Sequence, residues 1–107
     1  MAGPRTLSQP FRVGADHPAL PGHFPGRPVV PGVVLLDLAL EAAAVLLGRE
    51  PEVAQLAHAK FLMPLLPGQD ARVELSHEHA TLDFRVLRGE DTVLAQGRFL
   101  LREGSRP

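Results

Sequence analysis

From Val33 to Leu47 the chain reads Val-Val-Leu-Leu-Asp-Leu-Ala-Leu-Glu-Ala-Ala-Ala-Val-Leu-Leu, an apolar run interrupted only by Asp37 and Glu41. Gly48 closes it and, after Arg49-Glu50, Pro51 follows, which is the pattern of a helix C-terminus. The run predicts a helix of about four turns, with Pro31 suited to the first-turn region, where a missing N–H costs nothing. With charge at only two positions the helix is apolar almost all round and belongs in the core, wrapped by other elements. Further along, the period changes from helical to two. Segments Val53 to Met63, Ala71 to Glu78, Thr81 to Arg88 and Thr92 to Arg102 alternate, most plainly Val73/Leu75 against Arg72/Glu74 and Leu82/Phe84/Val86 against Asp83/Arg85. These predict strands with one polar face. Their links, Pro64 to Gly68, His79-Ala80 and Arg88 to Asp91, suit antiparallel connections, and a strand around Leu7 to Val13 completes the sheet.

The plan is a single α+β domain over residues 1–107, an antiparallel sheet of about five strands curled around one long central helix. A sheet this small cannot cover a helix that is apolar on all sides. A second copy is therefore expected, with two sheets joining edge to edge or two helices meeting across a twofold axis. Glu103 to Pro107 reads as a frayed tail.

Composition narrows the function classes. With 45% hydrophobic and 21% charged residues the chain fits neither disorder nor a coiled coil. Eleven basic against twelve acidic groups leave a formal net charge of −1, without the electrostatic footprint of a nucleic-acid binder. The absence of cysteine excludes disulfides, cysteine zinc sites and thiol nucleophiles. No signal-peptide core follows Met1 and no apolar run is long enough to span a bilayer, so the expectation is a soluble cytoplasmic protein without membrane partners.

The candidate chemistry sits just before the helix. Pro18, Pro21, Gly22, Pro25, Gly26, Pro28, Pro31 and Gly32 crowd into fifteen positions, which excludes helix and disfavours a central strand from His17 to Pro31. His23 lies within this segment, bracketed by prolines and glycines and ahead of a helix N-terminus, where a general base would find a target. The alternative is a histidine hydrogen-bonded in a tight loop. Fourteen residues later comes Asp37. An aspartate among Val, Leu and Ala needs a partner, access to water, or a proton. Those conditions fit a structural network or a general acid facing a cavity, and the pattern leaves both open. Glu41 stands one turn on, at i+4 from Asp37, so the two carboxyls share a helix face and disfavour double ionisation.

The string from His17 to Asp37, with His-Phe-Pro-Gly-Arg-Pro at 23–28, Pro31-Gly32 at the helix start and the spaced acid, resembles the 3-hydroxyacyl-acyl carrier protein dehydratases. Downstream, Phe61-Leu62-Met63-Pro64-Leu65-Leu66-Pro67-Gly68 is similar to that family's Phe-x-x-Pro-x-x-Pro-Gly strand and turn. The wording His-Pro-Ala-Leu-Pro-Gly-His-Phe-Pro-Gly, together with Val-Leu-Leu-Asp, further resembles a short subgroup of aryl-polyene and related lipid-like pathways. The resemblance implies a hotdog fold and dehydration of a 3-hydroxyacyl thioester to the trans-2-enoyl thioester. The substrate would be carried on the phosphopantetheine arm of acyl carrier protein, with no metal and no organic cofactor. It places the catalytic histidine at His23, the catalytic acid at Asp37 and the helix-start glycine, whose amide polarises the thioester carbonyl, at Gly32. Phe24, Val33 and Glu41 fall at substrate-binding positions. It also implies that histidine and acid come from different subunits of a homodimer or higher even oligomer, with a heterodimer as a variant. Two departures stand out: many members have Gln where this chain has Glu41, and the chain is shorter than typical dehydratases of primary fatty-acid synthesis. The competing readings are a hotdog acyl thioesterase and a non-catalytic subunit that binds the carrier protein.

The other histidines carry less. His77 and His79 would share one face of a strand, but no third ligand stands at a metal-binding spacing. His17 precedes Pro18 and would shape the loop, and His58 reads as a satisfied sheet residue.

Overall fold

The computed structural model describes residues 3–17 and 29–102. In chain order the elements are β1 (Arg5–Arg12), α1 (Gly32–Leu47), β2 (Val53–Phe61), β3 (Asp70–Glu78), β4 (Thr81–Arg88) and β5 (Thr92–Leu101). The expected helix begins one residue earlier, at Gly32, because Pro31 takes the N-cap position with extended backbone (φ −61°, ψ 146°). At the other end Gly48 adopts the left-handed conformation (φ 74°) and its N–H donates to the Ala44 carbonyl at 2.9 Å, the stop that its position announced. The expected frayed tail from Glu103 lies outside the described residues.

All strand pairings are antiparallel, in the order β1-β3-β4-β5-β2. The sheet separates its faces by the period-two pattern. Ala71, Val73 and Leu75 of β3, Leu82, Phe84 and Val86 of β4 and Ala95 and Phe99 of β5 are buried, and they form one cluster with Val34, Leu35, Ala39, Ala42, Ala43 and Leu46 of the helix. The rings of Phe84 and Phe99 stack obliquely within it, with centroids 5.3 Å apart. One five-stranded antiparallel sheet around one long helix in this order is the hotdog fold that the resemblance implied.

Polar residues occupy the opposite face. Arg85 and Arg72 both reach Glu74, at 2.9 and 3.1 Å, and Arg98 bridges Asp83 at 2.6 Å. The hydrogen bond from Arg85, then that from Arg72, holds the Glu74 carboxyl below its ordinary value. What this network contributes is present above the ordinary carboxylate range and is lost as pH falls through the lowered value, and on a surface this open it is small.

Three local features depart from the alternating pattern. β2 stops at Phe61 rather than Met63, because the N–H groups of Leu62 and Met63 converge on the single carbonyl of Leu94, at 2.7 and 3.2 Å, and regular pairing ends there. β3 stops at Glu78 with His79-Ala80 as the link, as expected, so the shared strand face for His77 and His79 does not form. His79 sits in the two-residue turn with φ 55°, a conformation histidine tolerates better than most residues. His58 lies exposed on an edge strand, just after a register shift, rather than settled inside the sheet.

Among the described residues the helix is anchored from one side. It lies over β1 and β3, and the Arg5 guanidinium donates to the Leu46 carbonyl at 2.6 Å, placing a positive charge on the negative end of the helix. Such a contact contributes about 0.3–1 kcal/mol. The far side carries Val33, Asp37, Glu41 and Val45, all exposed and each four residues from the next. Val33 and Val45 are 61% and 63% exposed, so a large part of the apolar surface expected in the core is uncovered by this chain.

Close approach of backbone to side chain explains one glycine in the sheet. A Cβ at Gly97 would run into the His58 carbonyl oxygen on β2 and, at 2.8 Å, into the Phe84 ring. Neither can retreat without opening the β2–β5 pairing or the core. Gly97→Ala is therefore expected to destabilise the fold by about 2 kcal/mol or more, read as a fall in the urea midpoint with an unchanged slope.

Candidate active site

A helix start offers amide hydrogens that the helix itself cannot use. Here the Val34 N–H turns back to the Pro31 carbonyl at 3.0 Å, while the Gly32 and Val33 N–H groups find no acceptor among the described residues. Pro31 contributes no side-chain cap, and the first turn holds no acid. Among the described residues the positive end of α1 is thus left open for an anion or a polarised carbonyl oxygen.

Asp37 and Glu41 follow on the exposed stripe that begins at Val33, one and two turns further along. Of the three conditions set for an aspartate in this helix, Asp37 meets access to water, since its face is not covered by the sheet. Val33, Asp37 and Glu41 are therefore brought onto one uncovered surface, with the half-buried Gly32 next to Val33 at the helix start. His23 and Phe24 lie outside the described residues. Among the described residues no group of three or more histidine, cysteine or acidic side chains is arranged to hold a metal ion. An open groove of about 440 Å³ between β1, β3 and β4 is lined by Thr6, Ser8, Ser76 and the paired Glu74, Asp83 and Arg85 on the polar face, and it contains none of these site residues.

Phe61, at the end of β2, joins the site through a contact that the sequence pattern does not announce. Its ring lies against Gly32, where a Cβ would meet ring atoms at 2.8, 2.9 and 3.3 Å. Phe61 nevertheless remains 51% exposed, so an apolar wall stands beside the open amides. The only hint in the sequence is Phe61 as the first residue of the second motif, and alternation alone assigns it a strand position, not a partner 29 residues earlier. The two positions should be coupled. Gly32→Ala is expected to displace the ring, and the Gly32→Ala/Phe61→Ala double variant to be less destabilised than the sum of the singles by about 1 kcal/mol, measured in a double-mutant cycle of denaturation free energies.

The flanks of the histidine-bearing segment also meet one place. The Val30 N–H donates to the Leu65 carbonyl at 2.8 Å, and the Gly68 N–H donates to the Val13 carbonyl at 2.8 Å. Leu65 is fully buried, which fixes the acceptor in the core. His17 turns back to Gly14, its N–H donating to that carbonyl at 3.1 Å.

Comparison with known proteins finds dehydratases among the similar chains. A curated relative from Herpetosiphon aurantiacus, a 3-hydroxyacyl-[acyl-carrier-protein] dehydratase FabZ, is 35% identical over 78 residues, 66% of this chain and 50% of that protein. The FabZ of Symbiobacterium thermophilum is 36% identical over 70 residues, 59% of this chain and 49% of that protein. The chain thus spans about half the length of the curated relatives it matches. Among solved structures, the dehydratase heterocomplex ApeI:P from Xenorhabdus doucetiae superposes with a TM-score of 0.82 at 25% identity, covering 91% of this chain and 87% of that one. The family model described as ApeI-like, ApeI dehydratase, matches residues 3–98, and the chain belongs to the ApeI-like dehydratase family.

Proposed function

We propose that this chain dehydrates a 3-hydroxyacyl thioester carried on the phosphopantetheine arm of acyl carrier protein, giving the trans-2-enoyl thioester. The observation that carries the reading is the open start of α1, with two amides unengaged among the described residues, no acid in the first turn and the half-exposed Phe61 ring alongside. A thioester carbonyl seated there gains most when an α-proton leaves and charge moves onto its oxygen, because fixed N–H dipoles require no reorganisation at that moment. His23 takes that proton, and the C–H electron pair becomes the new double bond. The C3–O bond breaks as Asp37 gives a proton to the departing hydroxyl, so the group leaves as water. A variant has His23 carry both protons while Asp37 orients the water. Glu41, one turn beyond Asp37 on the same face, lies along the substrate path. No metal or organic cofactor enters either scheme.

The site is completed by a second subunit. The β2 edge is nine residues long, contains no proline and carries a single formal charge, at Lys60, and Leu56 and Phe61 stand exposed on it. Such an edge is a template for another strand. The exposed stripe of α1 supports the same conclusion, since covering Val33 and Val45 on a partner would enclose Asp37 between them. The partner is a second copy or a related chain; the ApeI:P structure from Xenorhabdus doucetiae is a heterocomplex by its own description.

Purified protein incubated with 3-hydroxyacyl-carrier protein should yield the acyl carrier species minus one water by mass. Loss of the whole acyl group would make it a thioesterase, and an unchanged mass a binding subunit. His23→Ala is expected to lower turnover about 10²- to 10⁴-fold while oligomer mass and melting temperature stay as in the wild type. Asp37→Asn, which keeps size and hydrogen bonding but supplies no proton, is expected to be folded and inactive. If it unfolds instead and retains full activity per folded molecule, Asp37 is structural.

A further inference from the structure

We propose that Phe61 is a positioning residue for the amide of Gly32, its ring keeping that N–H aimed at the thioester carbonyl. The proposal rests on the dehydratase reading above for what the amide does, but the placement is read from contacts among the described residues alone. Glycine has the widest backbone freedom of any residue, and a dipole that must be aimed before the reaction gains nothing from that freedom. Part of the aim comes from the neighbours of Gly32. The Val30 N–H donates to the carbonyl of the fully buried Leu65 at 2.8 Å, and Pro31 fixes its own φ at −61°. The Pro31 carbonyl, which shares a peptide plane with the Gly32 N–H, accepts from the Val34 N–H at 3.0 Å. One bond of this kind does not stop the plane from rocking about the Gly32 Cα.

The Phe61 ring supplies the missing support. The three atoms nearest to a Cβ at Gly32 all belong to it, so ring and glycine hydrogen share one volume that a methyl group and the ring could not occupy together. The ring is in turn held by the sheet. Phe61 pairs with the fully buried Ala95 of β5, and its side chain shares the face of that partner, the one turned towards the helix. Immediately after it, the N–H groups of Leu62 and Met63 both donate to the carbonyl of Leu94, at 2.7 and 3.2 Å, and Leu94 is fully buried as well. The sheet core therefore fixes the backbone on both sides of Phe61, and the ring carries that rigidity onto the first residue of α1. This gives a physical reason for the glycine: it gives up a Cβ so that an aromatic ring from another element can press on its Cα. Removing a donor from such a site costs about 10²- to 10³-fold in rate, so a donor that is kept but loosened should cost about tenfold.

The test compares the wild type with Phe61→Ala, Phe61→Leu and Phe61→Tyr. Turnover of 3-hydroxyacyl-carrier protein, oligomer mass and melting temperature are measured together with the backbone order parameter of the Gly32 amide from NMR relaxation. Phe61→Tyr keeps the ring and, at a half-exposed position, leaves its hydroxyl a way to solvent, so it is expected to match the wild type throughout. Phe61→Ala is expected to lower kcat about tenfold with little change in KM. Its Gly32 order parameter should fall below the rigid-backbone value of about 0.85 while that of Leu94 stays in place. Phe61→Leu keeps apolar bulk on the β2 edge and is expected to retain the wild-type oligomer mass while showing both changes at smaller size. A Phe61→Ala protein of wild-type oligomer mass whose kcat or Gly32 order parameter matches the wild type overturns the proposal, as does a loss carried by KM alone. If Phe61→Ala fails to assemble, Phe61→Leu decides, and a wild-type kcat and order parameter there overturn it. If the wild type itself does not dehydrate the thioester, the dehydratase reading falls, and the Gly32 order parameter still decides whether the ring holds the helix start.

Discussion

Everything in this molecule follows from a mismatch between one helix and one sheet. A helix of 16 residues with two charges has apolar surface on every side, while a five-stranded sheet has a single apolar face to offer. The sheet covers Val34, Leu35, Ala39, Ala42, Ala43 and Leu46 and leaves the stripe from Val33 to Val45 uncovered. At about 25 cal/mol per Å² of apolar surface, leaving two valines more than half exposed forgoes stabilisation that a partner subunit would recover. The same stripe holds Asp37 and Glu41 and begins beside the open amides of Gly32 and Val33. The surface that the chain cannot bury alone is the one that carries both acids of the helix.

The second constraint is the meeting of distant backbone at the end of β2. Phe61, Leu65 and Gly68 are spaced closely in sequence, yet they touch the helix start, Val30 and Val13 respectively. The prolines of this stretch remove donors and stiffen the backbone, and the turn is closed by Gln69 rather than by extended pairing. Such a segment transmits the position of the sheet to the start of the helix. The sheet edge, the helix N-terminus and the backbone at Val13 and Val30 thus share one support.

Much of the architecture was legible before any coordinates. The helix bounds came within one residue because their causes are local: apolar composition, a proline before the first turn and Gly48 in the left-handed conformation that glycine alone adopts freely. Alternation placed all five strands and chose the inward face of β3 and β4 correctly, since a half-buried sheet forces period two on its residues. It failed at strand ends. The strand expected to Met63 ends at Phe61, and His58 was assigned to a satisfied sheet position but stands exposed on an edge, because alternation does not report which strand lies at the border.

The sequence by itself determined the elements, the fold class they make, the mismatch that leaves the helix half covered, and the His23 and Asp37 motifs from which the family resemblance was drawn. Tertiary structure alone decided that Asp37 faces water in the single chain, that Phe61 rests on Gly32, that Leu65 and Gly68 receive the two flanks of the histidine segment, and that Gly97 has no room for a methyl group. The reason is range. Propensity, capping and periodicity act between residues a few positions apart and leave a trace in the string. The bonds from Val30 to Leu65 and from Gly68 to Val13 join positions 35 and 55 residues apart through backbone atoms that every residue type possesses, so no side chain records them.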